Sequence, residues 1–285
     1  MNNTTNNLPT FIKNRKYTLN VNYFSAIDSA EKAYWLGFLY ADGCVHKNNL
    51  IIGLQKNDKD HLLKFAKEIE RNTDKLYYNS KTKSYTLTVC SCELVNRLIE
   101  LGCVPKKSLI LKYPSEQQLP KEYNSHFIRG YFDGDGSITH MNGGSNAEIC
   151  IVGTLEFLTS ISKFLEKEGV LFNIYKHKNA KSYYISFASR NSVDAFFNFI
   201  YNNSNIRLER KYNKFKSFFE ISENLKNKRW LNSKKRYFDK RRNSWIVCFN
   251  HNKKRIRTMG SYKTEKEAID KINEYALANG LPFIT

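Results

Sequence analysis

The sequence predicts an α+β fold of two pseudo-symmetric αββαββα halves, followed by a small unit of three strands and a helix. Three observations lead there. A nine-residue segment occurs twice, the same succession of helical and strand-like patterning follows each copy, and basic residues crowd the C-terminal part of the chain.

The two copies are WLGFLYADG at residues 35–43 and IRGYFDGDG at residues 128–136. Aligned, Gly37 meets Gly130, Ala41 meets Gly134, Asp42 meets Asp135 and Gly43 meets Gly136. Downstream, KSYTLTV at 83–89 falls beside KSYYISF at 181–187, and CELVNRLI at 92–99 beside RNSVDAFF at 190–197. Features kept in this order indicate a duplicated structural unit.

Each element has its own signal. The first helix starts near Asp28, where Asp28 and Glu31 form a capping-box-like pair, and runs to Ala41. Leu50, Ile52 and Leu54 alternate with Asn49, Ile51, Gly53 and Gln55, the period of a half-buried strand. Leu62, Leu63, Phe65, Ala66 and Ile69 then give residues 58–70 a helical apolar face. Tyr85, Leu87 and Val89 in the first half, and Tyr183, Ile185 and Phe187 in the second, alternate with polar neighbours. One face of each sheet is therefore expected to pack on helices, leaving the other polar and free.

The expected units are a polar N-terminal tail or arm (1–22), a first half (23–113), a second half (114–222), a basic linker (223–234) and a small C-terminal domain (235–285). Pro114 and Pro120 mark the passage between the halves. In the last domain Trp245, Val247 and Phe249 alternate as a strand, residues 251–254 form a turn and residues 255–259 another strand. Thr264 caps a helix with Glu267 three residues on.

Charge narrows the function. The chain has 285 residues with 46 Lys and Arg against 27 Asp and Glu, a net +19. Residues 226–271 alone hold sixteen basic and four acidic residues. Such an excess attracts polyanions, with nucleic acid the leading partner. No apolar run approaches a membrane span, and no apolar segment marks the start as a secretory signal. The six cysteines lack zinc-site spacing and read as reduced thiols, so an intracellular, cytoplasmic protein is expected.

Gly37 and Ala41, like Gly130 and Gly134, lie four apart and share a helix face, where small residues let two backbones approach. Packing the two helices side by side delivers Asp42 and Asp135 to one end of a common axis. A single Asp-Gly is usually only a helix end. Two copies in matched contexts point instead to a paired carboxylate site, which is costly unless a cation sits between. Hard oxygen donors suit magnesium, or manganese, with phosphate completing the shell.

These motifs resemble those of the LAGLIDADG homing endonucleases, in the monomeric form with two motifs per chain, over roughly residues 23–219. The resemblance implies a saddle of antiparallel sheets that binds a long double-stranded DNA target, cut to leave short 3′ overhangs; because the two sheet faces differ, the target is expected to be only loosely palindromic. It implies that Asp42 and Asp135 bind the catalytic metals. Position six of the motif is Asp133 in one copy and Tyr40 in the other, which is not a metal ligand in the family. Gln55 matches the family's usual glutamine, with Thr154 as its counterpart. Lys107 and Lys211 match its lysines that steer water or stabilise charge, with Lys106 and Arg210 as adjacent alternatives.

A two-stranded ribbon fits the major groove, where base edges carry a distinguishing pattern. The outward candidates are Asn49, Gln55, Lys75, Tyr77, Asn79, Thr86 and Thr88 in the first half, and Asn173, Tyr175, His177, Tyr184 and Ser186 in the second. The C-terminal domain resembles the DNA-binding domain of plant ethylene-response factors. That resemblance makes Arg236, Lys240, Arg241, Arg242, Trp245 and Arg257 candidate DNA contacts. The expectation is a site-specific, metal-dependent double-strand DNA endonuclease. The alternative is a non-catalytic binder on the same fold, such as an intron RNA maturase or a DNA-binding regulator.

Overall fold

The computed structural model describes residues 17–285 apart from 72–75, 142–145, 179, 203, 234, 252–253 and 257–259. The described chain forms two compact units, the first ending at Phe215 and the second running from Lys216 to Thr285.

The first unit contains the duplication. Its first half runs α1 (Ala30–Asp42), β1 (Gly43–His46), β2 (Asn49–Gln55), α2 (Lys59–Glu68), β3 (Tyr77–Asn79), β4 (Ser84–Cys90) and α3 (Cys92–Glu100). Its second runs α4 (Asn124–Asp135), β5 (Gly136–Met141), β6 (Asn146–Gly153), α5 (Leu155–Lys167), β7 (Asn173–Lys176), β8 (Tyr183–Phe187) and α6 (Arg190–Tyr201). Both sheets are antiparallel with matching order, β1-β2-β4-β3 and β5-β6-β8-β7. The α+β class and the repeated αββαββα order are thus as the sequence predicts.

Alternation decides which side of each sheet is dry. Leu50, Ile52, Leu54, Leu87 and Val89 are buried in the first sheet, and Ala147, Ile149, Ile151, Ile185 and Phe187 in the second. Their neighbours on the opposite face stay at least partly exposed, Ser186 excepted. Serine and threonine caps set the helix starts. Ser91, Thr154 and Ser189 accept from backbone N–H groups three residues on, at the heads of α3, α5 and α6.

The cap of α1 differs from expectation. Ser29, not Asp28, accepts from the backbone N–H of Lys32 at 3.2 Å. Asp28 lies one residue too early for that geometry and instead pairs with the Lys32 ammonium at 2.8 Å.

The second unit takes up α7 (Glu209–Asn232) from Lys216 onward, so residues expected as a basic linker are helical to Asn232. Lysine, arginine, leucine and glutamate favour helix, and charge alone does not break one. A three-stranded antiparallel sheet follows in the order β13 (Ser261–Tyr262), β10 (Ser244–Val247), β9 (Arg236–Asp239). A separate hairpin joins β11 (Phe249–His251) to β12 (Lys254–Ile256), and α8 (Glu265–Ala278) completes the unit. The strand expected through Phe249 therefore breaks at Cys248, whose N–H turns to the Lys235 carbonyl at 2.8 Å. Trp230, Val247, Phe249, Ala268, Ile272, Ala276 and Leu281 form the core. Thr264 caps α8 by accepting from the Glu267 N–H at 3.2 Å, while the Glu267 carboxylate accepts from the Lys263 N–H.

Candidate functional site

The site begins with the seam between α1 and α4. A Cβ on Gly37 would stand 2.0 Å from the Phe127 carbonyl oxygen, and one on Gly130 would stand 1.9 Å from the Tyr34 carbonyl oxygen. The equivalent position of each repeat thus touches the other across a local two-fold relation. One turn on, a Cβ on Gly134 would stand 2.3 Å from the Cβ of Ala41. One methyl group fits at this level and two do not, which explains alanine in one copy and glycine in the other.

The seam brings the two aspartates to the same helix ends. The imagined Gly134 Cβ lies 3.3 Å from Oδ2 of Asp42, one residue before Asp135. Burial, then the charge of Asp135, pushes the Asp42 carboxyl up to about 6, against the pull of Lys211 and Lys107. Burial also raises Asp135, opposed by the same two lysines. Asp42 is half-buried, while Asp135 reaches the surface. Two carboxylates near each other in partly dry surroundings repel, a cost that a cation between them would relieve.

Lys107 and Lys211 are both buried, and both reach back to a motif helix. The Lys107 ammonium donates to the Gly43 carbonyl, and Lys211 donates to the carbonyls of Phe132 at 2.7 Å and Gly134 at 2.8 Å. Burial lowers Lys211 to about 8. Lys106 adopts a left-handed conformation with φ +55° and stays exposed, while Lys107 beside it is buried.

Gln55 and Arg210 meet through a residue the motifs do not flag. The Gln55 amide donates to buried Asp58 at 2.9 Å, and Arg210 from the far end of the second half pairs with the same carboxylate at 3.1 Å. Thr154 has no comparable place. Its hydroxyl caps α5 and donates to the Leu111 carbonyl at 2.6 Å, so the two halves differ here.

Motif position six has a structural role in both copies. Tyr40 donates to the Leu101 carbonyl just after α3. Asp133, fully buried, accepts from Tyr201 at 2.6 Å, from the Leu208 N–H at 2.7 Å and from Tyr34 at 2.8 Å. The one hydroxyl hydrogen of Tyr34 is donated to Asp133, so the His61 Nε2 at 2.9 Å supplies the hydrogen of their shared bond. Burial holds His61 down at about 3, consistent with a neutral ring. The Tyr40–Leu101 and Asp133–Tyr201 contacts each tie a motif helix to the end of its own half's third helix, with opposite hydrogen-bond polarity, while Tyr34 ties the two motif helices to each other.

The outward sheet faces carry most of the expected reading residues. Gln55, Tyr77, Thr88, Asn173 and Tyr175 are exposed, and Asn49, Asn79, Thr86, His177 and Tyr184 half-buried. Asn79 spends its side-chain oxygen on the N–H groups of Lys81 and Thr82 in the hairpin turn. Tyr175 and His177 both lie against Tyr184, with ring centroids 5.3 and 4.7 Å away. Ser186 departs from expectation, being nearly buried and donating to Glu148 at 2.6 Å. Lys75 lies outside the described residues.

In the second unit, Lys240, Arg241 and Arg242 form an exposed basic tip between β9 and β10. Asp239 organises it by accepting from the N–H groups of Arg241 and Arg242. Arg236 is held to Glu265 at 2.8 Å, and Trp245 packs half-buried against the core. Arg257 lies outside the described residues.

Comparison with known proteins bears on the fold. Residues 122–201 match the family model of the LAGLIDADG-like domain. The meganuclease I-SmaMI, solved bound to uncleavable DNA, shares the fold with a TM-score of 0.50 and 12% identity, over 70% of this chain and 92% of that one. The I-LtrWI LAGLIDADG homing endonuclease, solved bound to target DNA, aligns with a TM-score of 0.48 and 12% identity over 73% and 92%. In sequence, 159 residues are 31% identical to the probable translation initiation factor IF-2 of Methanocaldococcus jannaschii. The match covers 53% of this chain but only 12% of that protein. Among the described residues no helix is long and apolar enough to cross a membrane. Residues 122–201 are thus similar to the LAGLIDADG-like domain, and 70% of the chain shares its fold with the meganuclease I-SmaMI.

Proposed function

We propose that this chain is a site-specific double-strand DNA endonuclease, acting as a monomer, with Asp42 and Asp135 holding magnesium or manganese. The observation that supports the reading is the glycine-notched seam, which brings together the helix ends that carry Asp42 and Asp135. Their donor chemistry fits a hard divalent cation. Among the described residues no cluster of three or more acidic, histidine or cysteine side chains is present, so water and phosphate oxygens would complete the shell. Such a cation supplies activation of water and neutralisation of charge on the phosphate. The protein's part is to place it: the seam sets the spacing, Lys107 and Lys211 brace the helix ends, and Gln55 is aimed by Asp58 and Arg210. The outward sheet faces would lie in the major groove of a long, loosely palindromic target, and the basic tip of the second unit would add contacts.

A supercoiled plasmid library with randomised inserts tests the reading. Wild-type protein is expected to linearise a recurrent subset of sequences with magnesium and none with chelator. Asp42→Asn and Asp135→Asn are each expected to lose double-strand cutting by at least about a thousandfold, several kcal/mol of barrier. Wild-type cutting by either variant would refute the proposal. The same Asp42→Asn protein should be no less heat-stable at neutral pH. A carboxyl raised to about 6 disfavours the folded state once ionised, a cost relieved only as pH falls through that value.

Salt dependence tests whether binding runs through phosphate contacts. Affinity for the recovered site is expected to fall by about 10³-fold or more between 50 and 200 mM salt, as counterion release at several phosphates requires. A flat response would remove the phosphate contacts on which the docking depends.

A further inference from the structure

We infer that Glu148 determines specificity in the target half-site met by the second sheet, where it selects a cytosine by accepting from the base's exocyclic amino group. This rests on the proposed DNA-cleaving function and names a part of its code. On β6, Asn146, Glu148, Cys150 and Val152 lie on the outward face, sharing it with Ser137 and Thr139 of β5 and Tyr184 and Ser186 of β8. Among the described residues, Glu148 is the only carboxylate on the outward face of either sheet. No described lysine or arginine forms an ion pair with it.

A bare acid on a surface that meets phosphates is unfavourable unless the acid finds its own donor. Glu148 is also held rather than free. The nearly buried Ser186 hydroxyl donates to its Oε1 at 2.6 Å, leaving Oε2 to accept from outside. Its charge is felt locally, since Glu148, after burial, pushes the neighbouring Cys150 thiol up.

The major groove offers four base edges, and they are not equal for a carboxylate. Guanine presents only acceptors there, and thymine an acceptor and a methyl group. Adenine places its amino donor beside the N7 acceptor, which would face the second carboxylate oxygen. Cytosine presents its amino donor without that adjacent acceptor on the same base. The geometry therefore favours cytosine, with Ser186 as the residue that fixes the approach.

The test is binding selection from a randomised duplex library with the full chain in chelator, followed by sequencing of the retained DNA. Wild type is expected to enrich a long site with one strongly favoured cytosine in one half. Glu148→Gln is expected to reduce that preference by roughly tenfold at that position alone, leaving the others as in wild type. Ser186→Ala should give a weaker loss of roughly threefold at the same position. Unchanged base frequencies in Glu148→Gln, or a loss spread evenly over all positions, would overturn the inference while leaving DNA recognition intact. Wild-type protein that enriches no sequence would overturn both the recognition and the inference built on it.

Discussion

Gly130→Ala is expected to destabilise the protein by about 3 kcal/mol or more, the upper end of overpacking costs. For a body of this size that lowers the thermal midpoint by roughly 6–12 °C. The added methyl would lie 1.9 Å from a main-chain carbonyl oxygen of the facing helix, an atom with no rotamer through which to escape. The helices must separate, and the aspartates at their ends separate with them, so the proposed cutting should fall even at temperatures where the variant stays folded. Gly37→Ala should behave alike, because it meets the Phe127 carbonyl at 2.0 Å. Gly53→Ala is the control, since its nearest new neighbour is the Thr86 hydroxyl at 3.8 Å. Thermal melts of the three variants decide the matter, and equal midpoints for Gly130→Ala and Gly53→Ala would show that the seam yields freely.

Asp133→Ala is expected to cost about 3–5 kcal/mol, although Asp133 lies outside the proposed cation site. Its carboxylate gathers three donors: two tyrosine hydroxyls and the Leu208 N–H. Removing it leaves the Tyr201 hydroxyl and the Leu208 N–H dry and unpaired, while Tyr34 keeps His61, and each buried orphan costs about 1–3 kcal/mol. Tyr34→Phe and Tyr201→Phe each remove one donor but leave the carboxylate others, so each should cost less, about 1–2 kcal/mol. Combined with Asp133→Ala, either tyrosine change should add little, because the partner is already gone. Chemical denaturation of this mutant cycle measures the coupling. Full additivity would mean that the network is not a unit.

The seam was the most legible part of the chain, because close backbone approach demands small residues and the demand appears twice at the same spacing. The sheets followed from alternation, since Leu50, Ile52 and Leu54 can face only one way once their neighbours are polar. The Asp133 network was not legible. Its three donors lie 99, 68 and 75 residues away, and nothing local marks an acid that accepts rather than binds a cation. Nor was the Gln55 support: Asp58 is only three residues on, but its ion pair with Arg210 spans 152 residues. Thr154 and Ser186 illustrate a different limit. A hydroxyl can cap a helix, brace a carboxylate or contact a ligand, and residue type does not choose between them. In the second unit the alternation of Trp245, Val247 and Phe249 suggested one continuous strand, whereas the turn of Cys248 toward Lys235 divides it.

The contact of Ala41 with Gly134 makes the molecule's two parts non-interchangeable. A symmetric pair built from two first halves would force methyl against methyl where the present spacing leaves room for one, whereas two second halves would leave a gap. Joining unlike copies in one polypeptide fills that level of the helix pair and guarantees the mixed pairing at every synthesis. It also frees each sheet to diverge, so the outward faces of the two halves need not mirror one another.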